Sequence, residues 1–131
     1  MPVRLHTVDS LAEPPGYAHV AVASGATLVF TAGAVPLDAD GTLVGPDDPV
    51  SQTAVVIDNL VVALRAGGAG PEDVVKTTVY VAGGDHDRQN RVWEVVRTSP
   101  IGRCPSTLLG VPILGYRGQL VEIEAVAVVA T

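Results

Sequence analysis

One cysteine in 131 residues, Cys104, excludes an internal disulfide and any metal cluster built on several thiolates. Large aromatic side chains are also scarce, with one Trp, one Phe and three Tyr. A core built from this chain must therefore consist of Val, Ala, Leu and Ile layers, without large aromatic anchors. Basic residues form no run and the net charge is −6, so the clustered Lys and Arg that bind nucleic-acid phosphates are missing. No apolar run approaches the ~18 residues of a membrane span. The N-terminal MPVRLHTVDSLAEPPG has no signal-peptide core. These absences predict a cytoplasmic domain over residues 1–131, with neither nucleic acid nor membrane as partner.

What is present divides cleanly into elements. GYAHVAVASGATLVFTAGAVP (16–36) reads as a hairpin, with Val20 and Val22 alternating, a turn at Ser24-Gly25, and TLVFTAG returning. PVSQTAVVIDNLVVALRAGGAG (49–70) predicts the longest helix, with Asp47 and Asp48 near its start and Gly67 and Gly68 at its end. Ala54, Ile57, Leu60, Val61 and Leu64 recur at helical spacing and define its expected buried face, opposite Ser51, Asp58 and Arg65. EDVVKTTVYVAG (72–83) reads as a strand, with Val75, Thr77, Val79 and Val81 on one side. Val74, Lys76, Thr78 and Tyr80 fall on the other.

A second helix is expected over 85–98, capped by Asp85, with Val92, Trp93 and Val96 inward. RCPSTLLGV (103–111) and QLVEIEAVAVVA (119–130) supply two more strands. The order ββ-α-β-α-ββ predicts an α+β domain, a single mixed sheet with two helices on one face. The bare sheet face calls for cover, and self-association is the usual remedy.

Chemistry-bearing residues are few. His6, His19 and His86 are scattered without metal-ligand spacing, so no metal site is expected. GGAG (67–70) follows a helix instead of leading into one, which makes it a C-cap and not a phosphate loop. Cys104, next to Pro105 within a strand, reads as a buried thiol. In VEIEAVAV, alternation puts Glu122 and Glu124 on one face. Two solvated carboxylates explain that pattern; so does a carboxylate lining a pocket and handling protons.

From Gly16 to Val128 these pieces, in this order, resemble the Rid family of reactive intermediate deaminases. GY (16–17) is similar to its Gly-Pro-Tyr start, and VFTAGAVPLDADGTLVG (29–45) to its Ser-Gly-bearing strand and loop. Residues 52–81 are similar to its long helix, glycine turn and strand. QNRVWEV (89–95) is similar to its Asn-bearing helix, and LVEIEAVAV to its closing strand. The resemblance implies a chorismate-mutase-like homotrimer with small-molecule clefts between subunits. It implies cofactor-free hydrolysis of enamines and imines to a 2-oxo acid and ammonia. It also implies roles: Glu122 for the water, and Tyr17, Gly33, Asn90, Ser106 and Thr107 around the substrate. His19 stands where the family commonly has glutamine, and Ala32 where it has serine.

One position departs. Ser106 stands where the family keeps an arginine that clamps the substrate carboxylate in a bidentate pair. Losing that clamp costs roughly 3–5 kcal/mol, at about 1.5–3 kcal/mol per charged hydrogen bond. That is some hundreds- to thousands-fold in carboxylate affinity, roughly. Of the possible replacements, Arg103 is three residues away along the strand and should point to the opposite face, and Arg117 lies in the GYRG loop. The departure leaves two further readings open: a non-catalytic trimer that binds a small metabolite, and the RNA cleavage sometimes attached to this family. The acidic charge balance counts against the latter.

Overall fold

The computed structural model describes residues 3–24 and 27–130. Its elements run β1 (Val3–His6), β2 (Val20–Ala23), β3 (Thr27–Phe30), α1 (Pro49–Ala66), β4 (Val74–Ala82), α2 (His86–Arg97), β5 (Ser106–Val111) and β6 (Val121–Val129). A 3-10 turn at Pro71–Asp73 leads into β4. Strands β3, β6, β4 and β5 lie side by side in that order, β6 antiparallel to both neighbours and β4 parallel to β5. Parallel neighbours cannot be joined by a tight turn, so α2 crosses between β4 and β5 and α1 between β3 and β4. Both helices cover the same face. Val56, Leu60 and Leu64 of α1 and Val92 and Val96 of α2 bury Val79, Val81, Val121 and Ile123 of the sheet.

The two helices and the mixed sheet match the α+β expectation; the hairpin over 16–36 does not. β2 pairs with β1, in register Val3↔Ala23 to His6↔Val20, and the pair forms a separate two-stranded sheet. β3 pairs with β6 instead. The cause lies just upstream of β2: the Ala18 amide donates to the Arg103 carbonyl at 3.1 Å and Trp93 Nε1 donates to the Pro15 carbonyl at 2.7 Å. Both bonds hold residues 15–18 against α2 and the approach to β5. Alternation identifies a strand without naming its neighbour. Gly25, half of the expected turn, lies outside the described residues.

The inward face of α1 is rotated from its expected position. Ala54 is exposed and Val61 half-buried, whereas Gln52, Thr53 and Val56 are buried beside Ile57, Leu60 and Leu64. Polar side chains can go inside when every polar atom is bonded. Gln52 Nε2 donates to the Gly45 and Gly118 carbonyls, both at 3.1 Å, and its Oε1 accepts from the Leu120 amide at 2.8 Å. Thr53 Oγ1 donates back to the Pro49 carbonyl at 2.6 Å. The helix starts at Asp48, whose side chain accepts from the Ser51 amide. It ends at Gly67, followed by Gly68 at φ +87°, a left-handed conformation that suits glycine.

In β4, Thr77, Val79 and Val81 are buried while Lys76, Thr78 and Tyr80 face away from the helices. A bulge between Val74 and Lys76 shifts the register, so Val74 points into the core in place of Val75. Leu60, at 0 % exposure, lies in the middle of the helix–sheet layer. Leu60→Ala is expected to lower stability by about 2–5 kcal/mol through lost burial and a residual cavity. Urea unfolding measures it: the midpoint falls while the slope stays unchanged.

Candidate functional site

The structure distributes the expected site residues over two faces of the sheet. Strand register decides which goes where. Thr77 pairs with Ser106, so both face the helices, and Thr77 Oγ1 donates to Ser106 Oγ at 2.7 Å. Cys104 Sγ lies 3.8 Å from Thr77 Oγ1, and burial pushes its thiol pKa up. A buried chain of three side chains thus ends at the Ser106 oxygen. With that oxygen accepting from Thr77, the Ser106 hydroxyl hydrogen is free to donate outward.

Outward from Ser106 is a cleft of about 300 Å³ lined by Pro15, Tyr17, Gln89, Asn90, Trp93, Ser106 and Leu108. Tyr17 stands edge-on to Trp93 at 6.1 Å, and Trp93 anchors the segment through its bond to Pro15. Three of the expected residues, Tyr17, Asn90 and Ser106, therefore meet between α2 and β5. His19 is edge-on to Tyr17 at 6.1 Å, but both ring nitrogens are engaged. Nδ1 accepts from the Val8 amide at 2.8 Å, and Nε2 lies 3.0 Å from the Ala12 carbonyl. The first bond requires the Nε2–H tautomer, and His19 serves to hold the 8–12 loop.

Glu122 lies on the opposite face, paired with Tyr80. Its Oε1 accepts from Gln119 Nε2 at 3.0 Å, and the buried Gln119 also donates to the Val121 carbonyl and accepts from the Tyr116 amide. The other carboxylate oxygen faces Gly33, where a Cβ would overlap it. Glycine is what allows backbone and carboxylate this close. The segment carrying Gly33 is pinned in turn by Asn59, whose Nδ2 donates to the Val35 and Leu37 carbonyls at 2.9 and 3.0 Å. Glu122 and Gly33 meet each other, apart from Tyr17, Asn90 and Ser106.

Thr107 also points to this outer face, where its Oγ1 accepts from Lys76 Nζ at 2.6 Å. Glu124 is held by the Tyr80 hydroxyl at 2.5 Å. Arg103 and Arg117 both lie away from the Ser106 cleft. Arg103 borders a larger groove, about 1020 Å³, together with Asp58, Arg65 and Glu72. Arg117 borders another of about 520 Å³ with Arg88 and Tyr116. Among the described residues, no group of three or more His, Cys, Asp or Glu is placed to hold a metal ion, and no helix is long and apolar enough to cross a membrane.

Gln52, Asn59 and Gln119 escape sequence reasoning because an amide side chain that bonds backbone carries no periodicity signal. Gln119 is the one of these in contact with an expected site residue.

The helix-layered mixed sheet places the chain among small α+β proteins, and sequence comparison names the family. The profile described as Endoribonuclease L-PSP matches residues 8–129, and the chain belongs to that family, also known as YjgF/Rid. The 2-iminobutanoate/2-iminopropanoate deaminase of Mus musculus is 33% identical over 100 residues, 76% of this chain and 73% of that protein. The Rid family protein YyfB of Yersinia pestis, of unknown function, superposes with a TM-score of 0.91 at 30% identity, covering 98% of this chain and 100% of its own. A crystallised Thermotoga maritima protein described as a putative endoribonuclease covers 98% of both chains at 32% identity, with a TM-score of 0.69.

The Tyr80–Glu124 bond raises the Tyr80 pKa above its usual 10.0, mainly because ionisation would break the hydrogen bond, with burial and the two carboxylate charges adding to it. A raised folded-state pKa means the bond's stabilisation is complete below about pH 10 and is lost as pH rises through the folded value. Tyr80→Phe is therefore expected to be less stable than the wild type by a constant margin from pH 7 to about pH 10, a margin that shrinks above. Denaturant midpoints measured across this range check the sign.

Proposed function

We propose that this protein hydrolyses reactive enamine or imine intermediates, releasing ammonia and a carbonyl product, as a homotrimer whose ligand clefts lie between subunits. The family supports the reading, as does the name of the mouse relative. The observation that carries it is Glu122: a carboxylate with one oxygen fixed by buried Gln119 and the other in the space that a side chain at Gly33 would fill. In this reading Glu122 accepts a proton from water as the water oxygen bonds to the C=N carbon. Glu122 hands that proton to the nitrogen, giving a carbinolamine. It then takes the carbinolamine hydroxyl proton and delivers it to the same nitrogen, so that C=O forms as the C–N bond breaks and ammonia leaves; an enamine enters the same route after protonation at carbon. Water, imine and product balance without a cofactor.

Tyr17, Asn90 and Ser106 of one copy then form the substrate-binding half of a cleft, and Gly33, Glu122 and Thr107 of a neighbour form the other. Ser106 offers a single neutral donor where a guanidinium would offer two charged ones, so the preferred substrate lacks a free carboxylate. The same observation favours a second reading, a non-catalytic trimer whose clefts retain a small metabolite.

The decay of 2-iminobutanoate generated in situ by a threonine dehydratase tests the choice. The wild type is expected to accelerate decay weakly, and Ser106→Arg to do so by about a hundred- to a thousandfold more. Glu122→Gln should lose about a hundredfold or more of whatever activity it starts from. If neither wild type nor Ser106→Arg turns over the imine, the hydrolase reading falls and the binding reading takes its place.

A further inference from the structure

Two strand edges in this chain are open at once. β3 pairs with β6 along one side only, and β2 with β1 along one side only. In an antiparallel strand paired on one side, every second residue turns its N–H and C=O to the free side. Natural proteins seldom leave such edges long and apolar without protecting them. Here neither edge strand carries a charge or a proline, and the side chains are exposed and apolar: Leu28 at 57 % and Phe30 at 69 % on β3, Val20 at 43 % and Val22 at 41 % on β2. A two-stranded sheet is marginal by itself, so the β1–β2 arm lacks the third strand that would secure it.

The arm cannot supply that strand to its own chain while keeping its present contacts. Pro15, Tyr17 and Ala18 are tied to Trp93 and Arg103, beside β5. β5 and β3 are opposite edges of the four-stranded sheet. Only three residues join Ala23 to Thr27. Copies set side by side bring the arm at one copy's β5 edge to the β3 edge of the next.

We infer that the β1–β2 arm is an exchange element, whose free β2 edge pairs with β3 of a second copy and completes a six-stranded sheet β1-β2-β3-β6-β4-β5 across two chains. In the antiparallel register that sets Ala23 opposite Thr27, Val22 meets Leu28 and Val20 meets Phe30. All four exposed apolar side chains then lie on one face and cover one another. The contact is head-to-tail, the kind that builds a ring when the rotation between copies closes and a filament when it does not. It also gives the arm a role in the cleft: the segment that brings Tyr17 to Ser106 is braced by the neighbouring copy. Two solved relatives of near-equal identity differ in how fully they superpose on this chain, at TM-scores of 0.91 and 0.69.

The test is a disulfide trap in the full chain, Val22→Cys with Leu28→Cys, oxidised at neutral pH and run on a non-reducing gel. Both positions are exposed, and Cys104 is buried and out of reach. Chains linked into dimers and higher species, released by reductant, are the expected result. A disulfide closed within one chain overturns the inference, because β2 would then lie on its own β3, and so does the absence of any cross-link. Should the variant fail to fold, hydrogen exchange on the unmodified protein decides. Amides of residues 27–30 and 20–23 should lose protection together on dilution; exchange unaffected by a thousandfold dilution contradicts the exchange. Neither readout depends on turnover, so this inference and the proposed hydrolysis fail separately.

Discussion

Strand alternation is the constraint on which the rest of this structure depends. Along β4, β5 and β6 each step of one residue reverses the face, and the paired registers bind the three strands to one choice. Thr77 and Ser106 go under the helices; Thr78, Tyr80, Thr107, Glu122 and Glu124 go to the bare face. A cleft that needs both Ser106 and Glu122 cannot then be assembled by one chain, because a sheet stands between them. Register alone therefore separates Ser106 from Glu122 within the chain, before any question of what the ligand is.

The two groups of candidate residues are held in different ways. Ser106 ends a chain of hydroxyl and thiol groups rooted in the core, and Tyr17 reaches it through an arm fastened by Trp93 and Arg103. Glu122 depends on amides. Gln52 ties α1 to the loop ahead of β6, Gln119 in that loop grips the carboxylate, and Asn59 fixes the segment just after Gly33. Amide side chains suit this work because each offers donors and an acceptor in one plane and can satisfy several backbone groups at once. Their burial costs little when every group is bonded, and the described residues leave no buried side-chain nitrogen or oxygen without a partner.

Much of the fold could be read from the amino-acid sequence, for physical reasons. Both helices carry caps and periodic apolar residues, and Asp48, Asp85 and Gly67 mark their ends where expected. β6 alternates from Val121 to Ala127. Three features were not legible. The buried face of α1 includes Gln52 and Thr53, which a polarity rule assigns to solvent. The Val74–Lys76 bulge inverts the parity of one residue without altering composition. The partner of β2 is set by contacts seventy and more residues away, at Trp93 and Arg103, and local pattern carries no such information. For the site, resemblance to a family names candidate residues but not their grouping: Thr107 lies apart from Ser106 because neighbours on a strand face opposite ways.

Assembly is the claim that joins these points: in the proposal, a second copy completes the open strand edges, the bare polar sheet face and the site. Native mass spectrometry of the unmodified protein at micromolar concentration tests it most directly. The account predicts a single closed species whose mass is a whole multiple of the 13.4 kDa chain, three copies for the homotrimer proposed above. A stable species of 13.4 kDa that persists at such concentrations would contradict it.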